Sequence, residues 1–262
     1  MKKAVFMFTY NENNNIYKRD IFEYKDSLWK IPIKYQIRDG LKNSVIIEAL
    51  NEIENNTCIK FEEYDLFKYN IQGILFENSR VCSSQVGVAY QNSRQTVRLT
   101  YECSERKGYV LHEVGHAIGL LHEHCRTDRD KFVTIDFNNI ERAAFVNFEI
   151  PKSLYYKNCS TSYDYGSLMH YNPYEFAYYP WRQVLSSKTH KAYDRMMGQR
   201  LYMTFNDYKK INFVYCYNRS RTKEICEGKT KEIECHIADT VIIKTPVGAS
   251  VLLDIQVIYV GK

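Results

Sequence analysis

Between His112 and His122 the chain reads His-Glu-Val-Gly-His-Ala-Ile-Gly-Leu-Leu-His, the pattern H-E-x-x-H-x-x-G-x-x-H. A bare H-E-x-x-H recurs by chance. The extended pattern adds a glycine and a third histidine at fixed offsets in a chain with only 7 His, which makes coincidence remote. Residues four apart share one face of a helix, so His112 and His116 aim both imidazoles at one tetrahedral metal. On an uninterrupted helix His122 would lie about 600° beyond His116, well off that face. Gly119 resolves the conflict, because a residue free to adopt positive φ ends the helix and turns the chain so that His122 returns to the metal. Three neutral ligands leave a fourth position for water, the arrangement of a catalytic zinc. Glu113 lies about 100° round the helix from His112, beside that position but off the ligand face, which suits a general base acting on a metal-activated water. Asp128 and Asp130, the alternative carboxylates, lie beyond the turn and read as partners of Arg126 or Arg129.

The rest of the chain is of a kind to carry such a site. Its 262 residues predict one domain plus a fragment, or two small domains. Hydrophobic residues at 45% and aromatics at 15%, with 23 Tyr, fill a core and exclude a wholly disordered chain. The formal charge of +5 is spread without a dense basic block, so nucleic acid is excluded as a partner. No apolar stretch approaches the roughly 20 residues of a membrane span. Eight cysteines, at 58, 82, 103, 125, 159, 216, 226 and 235, are even in number and form no C-x-x-C pair, which predicts disulfides and a secreted, oxidising location. Sequons at Asn55, Asn158 and Asn218 agree with that location. Residues 1–19 are polar and irregular, with an apolar run after Met-Lys-Lys too short for a signal peptide. The dibasic pair Lys18-Arg19 is a candidate processing site, and the globular pattern begins near Asp20.

Alternation predicts a strand over 31–37, and strand-like runs follow at 58–61, 71–76, 85–90 and 96–101. Apolar residues at Val45, Ile46, Ile47, Ala49, Leu50 and Ile53 predict a helix over 44–55 with Ser44 as its N-cap. A second helix, over 108–119, carries the histidines. Residues to 199 are loop-rich. Thr204-Phe-Asn-Asp207 then predicts a capping box opening a third helix that ends near Tyr215. Beyond Cys216 the composition shifts, and residues 217–262 read as an appendage.

On these residues the chain resembles the astacin family of metzincin zinc endopeptidases. The third histidine is followed by Glu123-His124-Cys125-Arg126-Thr127-Asp128-Arg129-Asp130, similar to the family's H-E-x-x-R-x-D-R-D run. Ser167-Leu168-Met169-His170-Tyr171 looks like its S-x-M-H-Y Met-turn, and Met197-Gly198-Gln199-Arg200 like its I-G-Q-R segment. The resemblance covers about 20–216 and implies an α+β, zincin-like catalytic domain. That domain has an N-terminal lobe of twisted mixed sheet and long helices, an irregular C-terminal lobe and one zinc in the cleft between them. It implies Met169 as an apolar floor under the ligands, and Tyr171 as a switchable ligand that donates to the oxyanion. Cys58 would pair with Cys216 and Cys82 with Cys103. Cys125 and Cys159 fall outside the family pattern but flank the segment between the zinc turn and the Met-turn, so a third bridge is predicted there.

By the same resemblance Gln85, Val86, Gly87 and Val88 belong to a sheet edge to which a protein substrate adds as an extended strand. Glu123 would bind the new N-terminus released by an activating protease; residues 1–19 read as a propeptide remnant or an irregular N-terminal segment, and the zinc-ligating aspartate of the family's prosegment is not recognisable in them. Its ordinary reading is a surface ion pair with Arg126 or Arg129. The tail looks like a truncated EGF- or CUB-like module, with Cys226 and Cys235 pairing locally. The expected activity is hydrolysis of peptide bonds by a monomer. The alternative is a catalytically silent secreted binding protein on the same scaffold, which would be expected to have lost a ligand or Glu113.

Overall fold

The structure, a computed structural model, describes residues 21–22, 28–66, 71–151, 156–157 and 161–216, with 21–22 and 156–157 described by backbone alone. Strand β1 (Ile21–Phe22) pairs antiparallel with β7 (Tyr156–Lys157), so the start of the described chain is tied to the segment ahead of the Met-turn. The main sheet is built from β2 (Ile33–Ile37), β3 (Phe61–Glu63), β4 (Gly73–Asn78) and β5 (Arg94–Leu99) in the order β3-β2-β4-β5. All three pairings are parallel, with Tyr35 opposite Ile74 and Ile74 opposite Gln95. Gly73, Ile74, Leu75 and Phe76 of β4 are all buried, as a central parallel strand covered on both faces requires.

The antiparallel component of the sheet is a single bridge, Ser83 with Arg98, made by two hydrogen bonds of 2.9 and 2.8 Å. The strand predicted over 85–90 does not form. Gly87 takes a φ of +70°, which breaks an extended run, and its N–H donates to the His116 carbonyl at 2.9 Å. Buried Gln95 holds the same loop from the other side, donating to Gly87 O at 2.8 Å and accepting from the Ala89 N–H at 2.8 Å.

Helix α1 (Asn43–Asn56) buries Ile46, Ala49, Leu50 and Ile53, the stripe read from the sequence. Ser44 is not its cap. Lys42 occupies that position without a capping side chain, and its N–H donates instead to Ser104 Oγ of α2 (Tyr101–Ser104) at 3.0 Å. Helix α3 (Lys107–Ala117) is buried at every position from Val110 to Ala117, so it runs through the protein rather than over it. These elements share one core that includes Leu168 and Met169. A second core, containing Phe148, Tyr163, Tyr165, Tyr171 and Phe176, fills the irregular later half around β6 (Val133–Ile135) and β8 (Leu185–Ser187). The two cores meet at the Met-turn.

Helix α4 (Phe205–Tyr215) opens on the predicted capping box, with Thr204 and Asp207 each accepting from the other's backbone N–H. Two predicted disulfides are present: Cys58–Cys216 closes the end of α4 onto the segment after α1, and Cys82–Cys103 joins the Ser83 edge to α2. The third is not made. Cys125 is a buried free thiol whose Sγ donates to the Asn147 carbonyl at 3.3 Å, and burial pushes its pKa up to about 12. Cys159 lies outside the described residues, as do residues 1–19, Asp20, Asn158, Asn218, Cys226, Cys235 and the 217–262 tail. The described residues up to Cys216 fall in one compact unit. Among the described residues no helix is long and apolar enough to cross a membrane.

Candidate metal centre

Helix α3 presents His112 and His116 one turn apart, with ring centroids 4.7 Å from each other. The helix ends at Ala117, and Gly119 takes a φ of +108°. The chain then reverses, so that His122 comes to 5.4 Å from His112 and 4.5 Å from His116, ring centre to ring centre. All three are buried, and one ligand atom from each lies within 4.8 Å of the others. Gly119→Ala places a Cβ in that reversal at a strain of about 1–3 kcal/mol. The variant is expected to hold metal more weakly than wild type, as read by loss to a chelator, with a lower Tm.

The ring tautomers follow from the partners. His112 Nδ1 lies 2.9 Å from the Leu168 carbonyl and His116 Nδ1 lies 2.8 Å from the Leu120 carbonyl. A carbonyl only accepts, so both Nδ1 atoms carry the proton and both Nε2 atoms are left with a lone pair. His116 Nε2 faces His122 Nε2 at 3.1 Å. Burial holds the pKa of His116 down to about 4 and those of His112 and His122 well below the usual histidine value. The rings are therefore neutral at neutral pH, as metal ligands must be.

Glu113 stands beside the cluster, 5% exposed, and its Oε2 is buried with no hydrogen-bond partner. Burial alone pushes its pKa up to about 8, against the nearby Arg200 charge that lowers it. An orphaned carboxylate oxygen next to converging imidazole lone pairs is the donor set that a divalent cation with a bound water satisfies, so these residues fit zinc.

The Met-turn closes the site from below. A Cβ on Gly115 would lie 3.0 Å from Met169 Sδ, so Met169 is seated directly under the helix turn between the first two histidines. Met169 O accepts from the Glu123 N–H at 3.1 Å, which fastens the turn to the stretch of chain that carries His122. Tyr171 is 5% exposed and packs against His122 at 4.3 Å and His124 at 4.2 Å between ring centres. Desolvation holds its phenol well above the usual tyrosine value, so it keeps its proton.

Glu123 is 1% exposed and is not a surface residue. Its Oε1 accepts from Arg126 Nη1 at 3.2 Å and from the Asp164 N–H at 2.9 Å, and its Oε2 accepts from buried Lys210 Nζ. The paired cations and hydrogen bonds outweigh burial and hold its carboxyl below the usual range. Lys210 is 87 residues away, and nothing in the sequence pointed to it. Asp128 pairs with Arg126 at 2.9 Å and Asp130 with Arg129 at 3.2 Å, the structural roles read from the sequence.

Of the four residues expected at the substrate edge, Val86 alone lines a small cavity beside the cluster, together with His116, Leu121, His122, Cys125, Asn147 and Pro151. Val88 is buried in the main core, Gly87 spends its N–H on His116 O, and Gln85 is exposed with its amide near the Tyr90 hydroxyl.

Comparison with known proteins agrees with this geometry. Residues 21–216 match the family model described as Astacin, a peptidase family. The zinc metalloproteinase dpy-31 of Brugia malayi is 36% identical over 212 residues, covering 78% of this chain and 34% of its own length. The zinc metalloproteinase nas-9 of Caenorhabditis elegans is 33% identical over 202 residues, covering 73% and 36%. Among solved structures, high choriolytic enzyme 1, a hatching enzyme zinc-protease from the medaka Oryzias latipes, superposes with a TM-score of 0.63. It is 28% identical and is matched over 74% of this chain and 92% of its own. The chain spans between about a third and a half of the length of the curated relatives it matches. With three quarters of its length matched by one family model, and the ligand cluster, Met-turn and two disulfides in place, the chain belongs to the astacin family.

Proposed function

We propose that this chain is a zinc-dependent endopeptidase that hydrolyses peptide bonds in protein substrates. The observation that carries the proposal is the convergence of His112, His116 and His122 with the partnerless Glu113 Oε2 beside them. When bound, zinc lowers the pKa of a coordinated water toward about 7 and polarises a carbonyl. Glu113 Oε2 accepts the nucleophile's proton and returns it to the nitrogen of the leaving amine. Burial walls off bulk water from this transfer: both carboxyl and ligands are less than a tenth exposed.

Tyr171, held protonated by burial, supplies an O–H donor for the developing oxyanion. Tyr171→Phe is expected to lower kcat about 10²–10³-fold, the loss typical of one oxyanion donor, with zinc content unchanged. Metal analysis and steady-state kinetics check it together. A kcat within a few-fold of wild type would remove Tyr171 from the mechanism.

A protein substrate would lie in extended form along the Val86 side of the site, beside His116 and His122. Two disulfides among the described residues support an extracellular location. An activating protease cutting after Arg19 would free an α-amino group at Asp20, one residue ahead of β1. All three ligands come from one chain, so the site is complete without a second copy, and the reading is of a monomer. Residues 20–216 form the catalytic domain in this reading and 217–262 an appendage. The test is cleavage of a denatured protein by the zinc-loaded chain, set against a Glu113 variant that still holds the metal.

A further inference from the structure

Leu168, the residue ahead of Met169, has both of its backbone polar groups held by charged side chains. Its N–H donates to Asp207 Oδ2 at 3.0 Å, and Asp207 is fully buried and also accepts from Ser167 Oγ at 2.6 Å. Its carbonyl accepts from Arg200 Nη1 at 3.0 Å. That same carbonyl receives the Nδ1–H of His112 at 2.9 Å. One oxygen therefore links a guanidinium to a metal ligand.

Arg200 has little freedom to do otherwise. Its Nη1 also donates to His170 O at 3.0 Å and to Gln199 O at 2.8 Å, so it bridges both sides of Met169. Its backbone is pressed against the start of α3: a Cβ on Gly108 would stand 1.8 Å from Arg200 O. The Arg200 backbone is thereby fixed against the ligand-bearing helix, and its guanidinium against the Met-turn carbonyls.

We propose that Arg200 is a positioning residue for His112, holding the Leu168 carbonyl where it fixes the ring tautomer and rotation that turn Nε2 toward the metal. The inference rests on the reading of His112, His116 and His122 as the metal ligands. Two effects of Arg200 oppose each other. As an orienting group it strengthens metal binding, and partners of this kind are commonly worth about 10–100-fold in metal affinity. As a cation it repels a divalent ion. The hydrogen-bonded chain through Leu168 makes orientation the larger effect.

The test measures the rate at which the zinc-loaded chain loses metal to a chelator, and the tautomer ratio of His112 in the metal-free chain from its ring nitrogen chemical shifts. Wild type is compared with Arg200→Gln, Arg200→Lys and Gln199→Ala. Arg200→Gln is expected to lose zinc about 10–100-fold faster and to show mixed His112 tautomers. Arg200→Lys, which keeps the charge on a shorter stem, falls between it and wild type, and carries the comparison if Arg200→Gln does not fold. Gln199→Ala loses bonds to Gly166 and Tyr202 in the same segment but none to Leu168, and is expected to lower Tm without changing zinc loss or the tautomer. Unchanged or slower zinc loss with a single His112 tautomer in Arg200→Gln would overturn the proposal, as would Gln199→Ala reproducing the effect. Should wild type take up no zinc, the metal-centre reading fails, while the metal-free tautomer comparison still decides the role of Arg200.

Discussion

Glu113→Gln is expected to hold one zinc per chain and to cleave a denatured protein substrate about 10²–10⁴-fold more slowly than wild type, the usual worth of a positioned general base. Glu113 makes no hydrogen bond through Oε2, and the Nδ1 atoms of His112 and His116 are held by backbone carbonyls, so the ligand cluster should survive the change. The same substitution has a stability signature. In the metal-free protein the folded carboxyl titrates near 8 because of burial, above an unfolded value near 4.3. A raised carboxyl pKa means that the fold is penalised above the unfolded value, by about 1.4 kcal/mol per pH unit until the folded value is reached. Metal-free Glu113→Gln should therefore be more stable than metal-free wild type at pH 7, and the advantage should vanish below pH 4. Thermal melts at the two pH values check the sign. An advantage that persists at pH 4 would place the effect in packing rather than in the buried charge.

Replacing Cys58 and Cys216 together by serine is expected to cost about 5 kcal/mol of stability, the chain-entropy value for a closed loop of this length. The bridge spans 158 residues and closes the last turn of α4 onto the segment following α1. Its loss frees more of the unfolded chain than loss of Cys82–Cys103, which spans 21 residues and should cost about 3 kcal/mol. Denaturant melts of the two double variants give the comparison, with the long-loop variant the less stable. The reverse order would mean that residual structure or native packing, not loop entropy, sets the contribution of these bridges. The consequence extends to the site, because α4 carries Lys210, which pairs with Glu123 next to His122, and Asp207, which holds the Met-turn.

The convergence of the three histidines was legible because its information is local. The spacing of His112, His116 and His122 around Gly119 specifies a helix, a stop and a return, and the structure makes each of them. The capping box at Thr204 and the stripe of α1 were legible for the same reason. What the sequence concealed depends on distant partners. Residues 85–90 alternate like a strand, but Gly87 is bent to reach His116 O and Gln95 reaches in to hold it. Ser44 looks like a cap, yet Lys42 holds that position, its N–H fastened to Ser104 Oγ from 62 residues away. Cys125 and Cys159 flank one segment in sequence, while the Cys125 thiol points to Asn147 in the fold. Lys210 sits in ordinary surface-like composition and Arg200 was legible only as the end of a family-like segment; the packing of α4 and the Met-turn reveals that they serve Glu123 and Leu168.

The most direct test of the account is cleavage of a denatured protein by the chain as the metal is stripped and then returned. Activity is predicted to fall to background as zinc leaves and to recover in proportion to added zinc, saturating at one ion per chain, with His122→Ala failing to recover. Cleavage that persists in the fully metal-free protein, or full zinc loading without any cleavage, would contradict the assignment of a zinc endopeptidase.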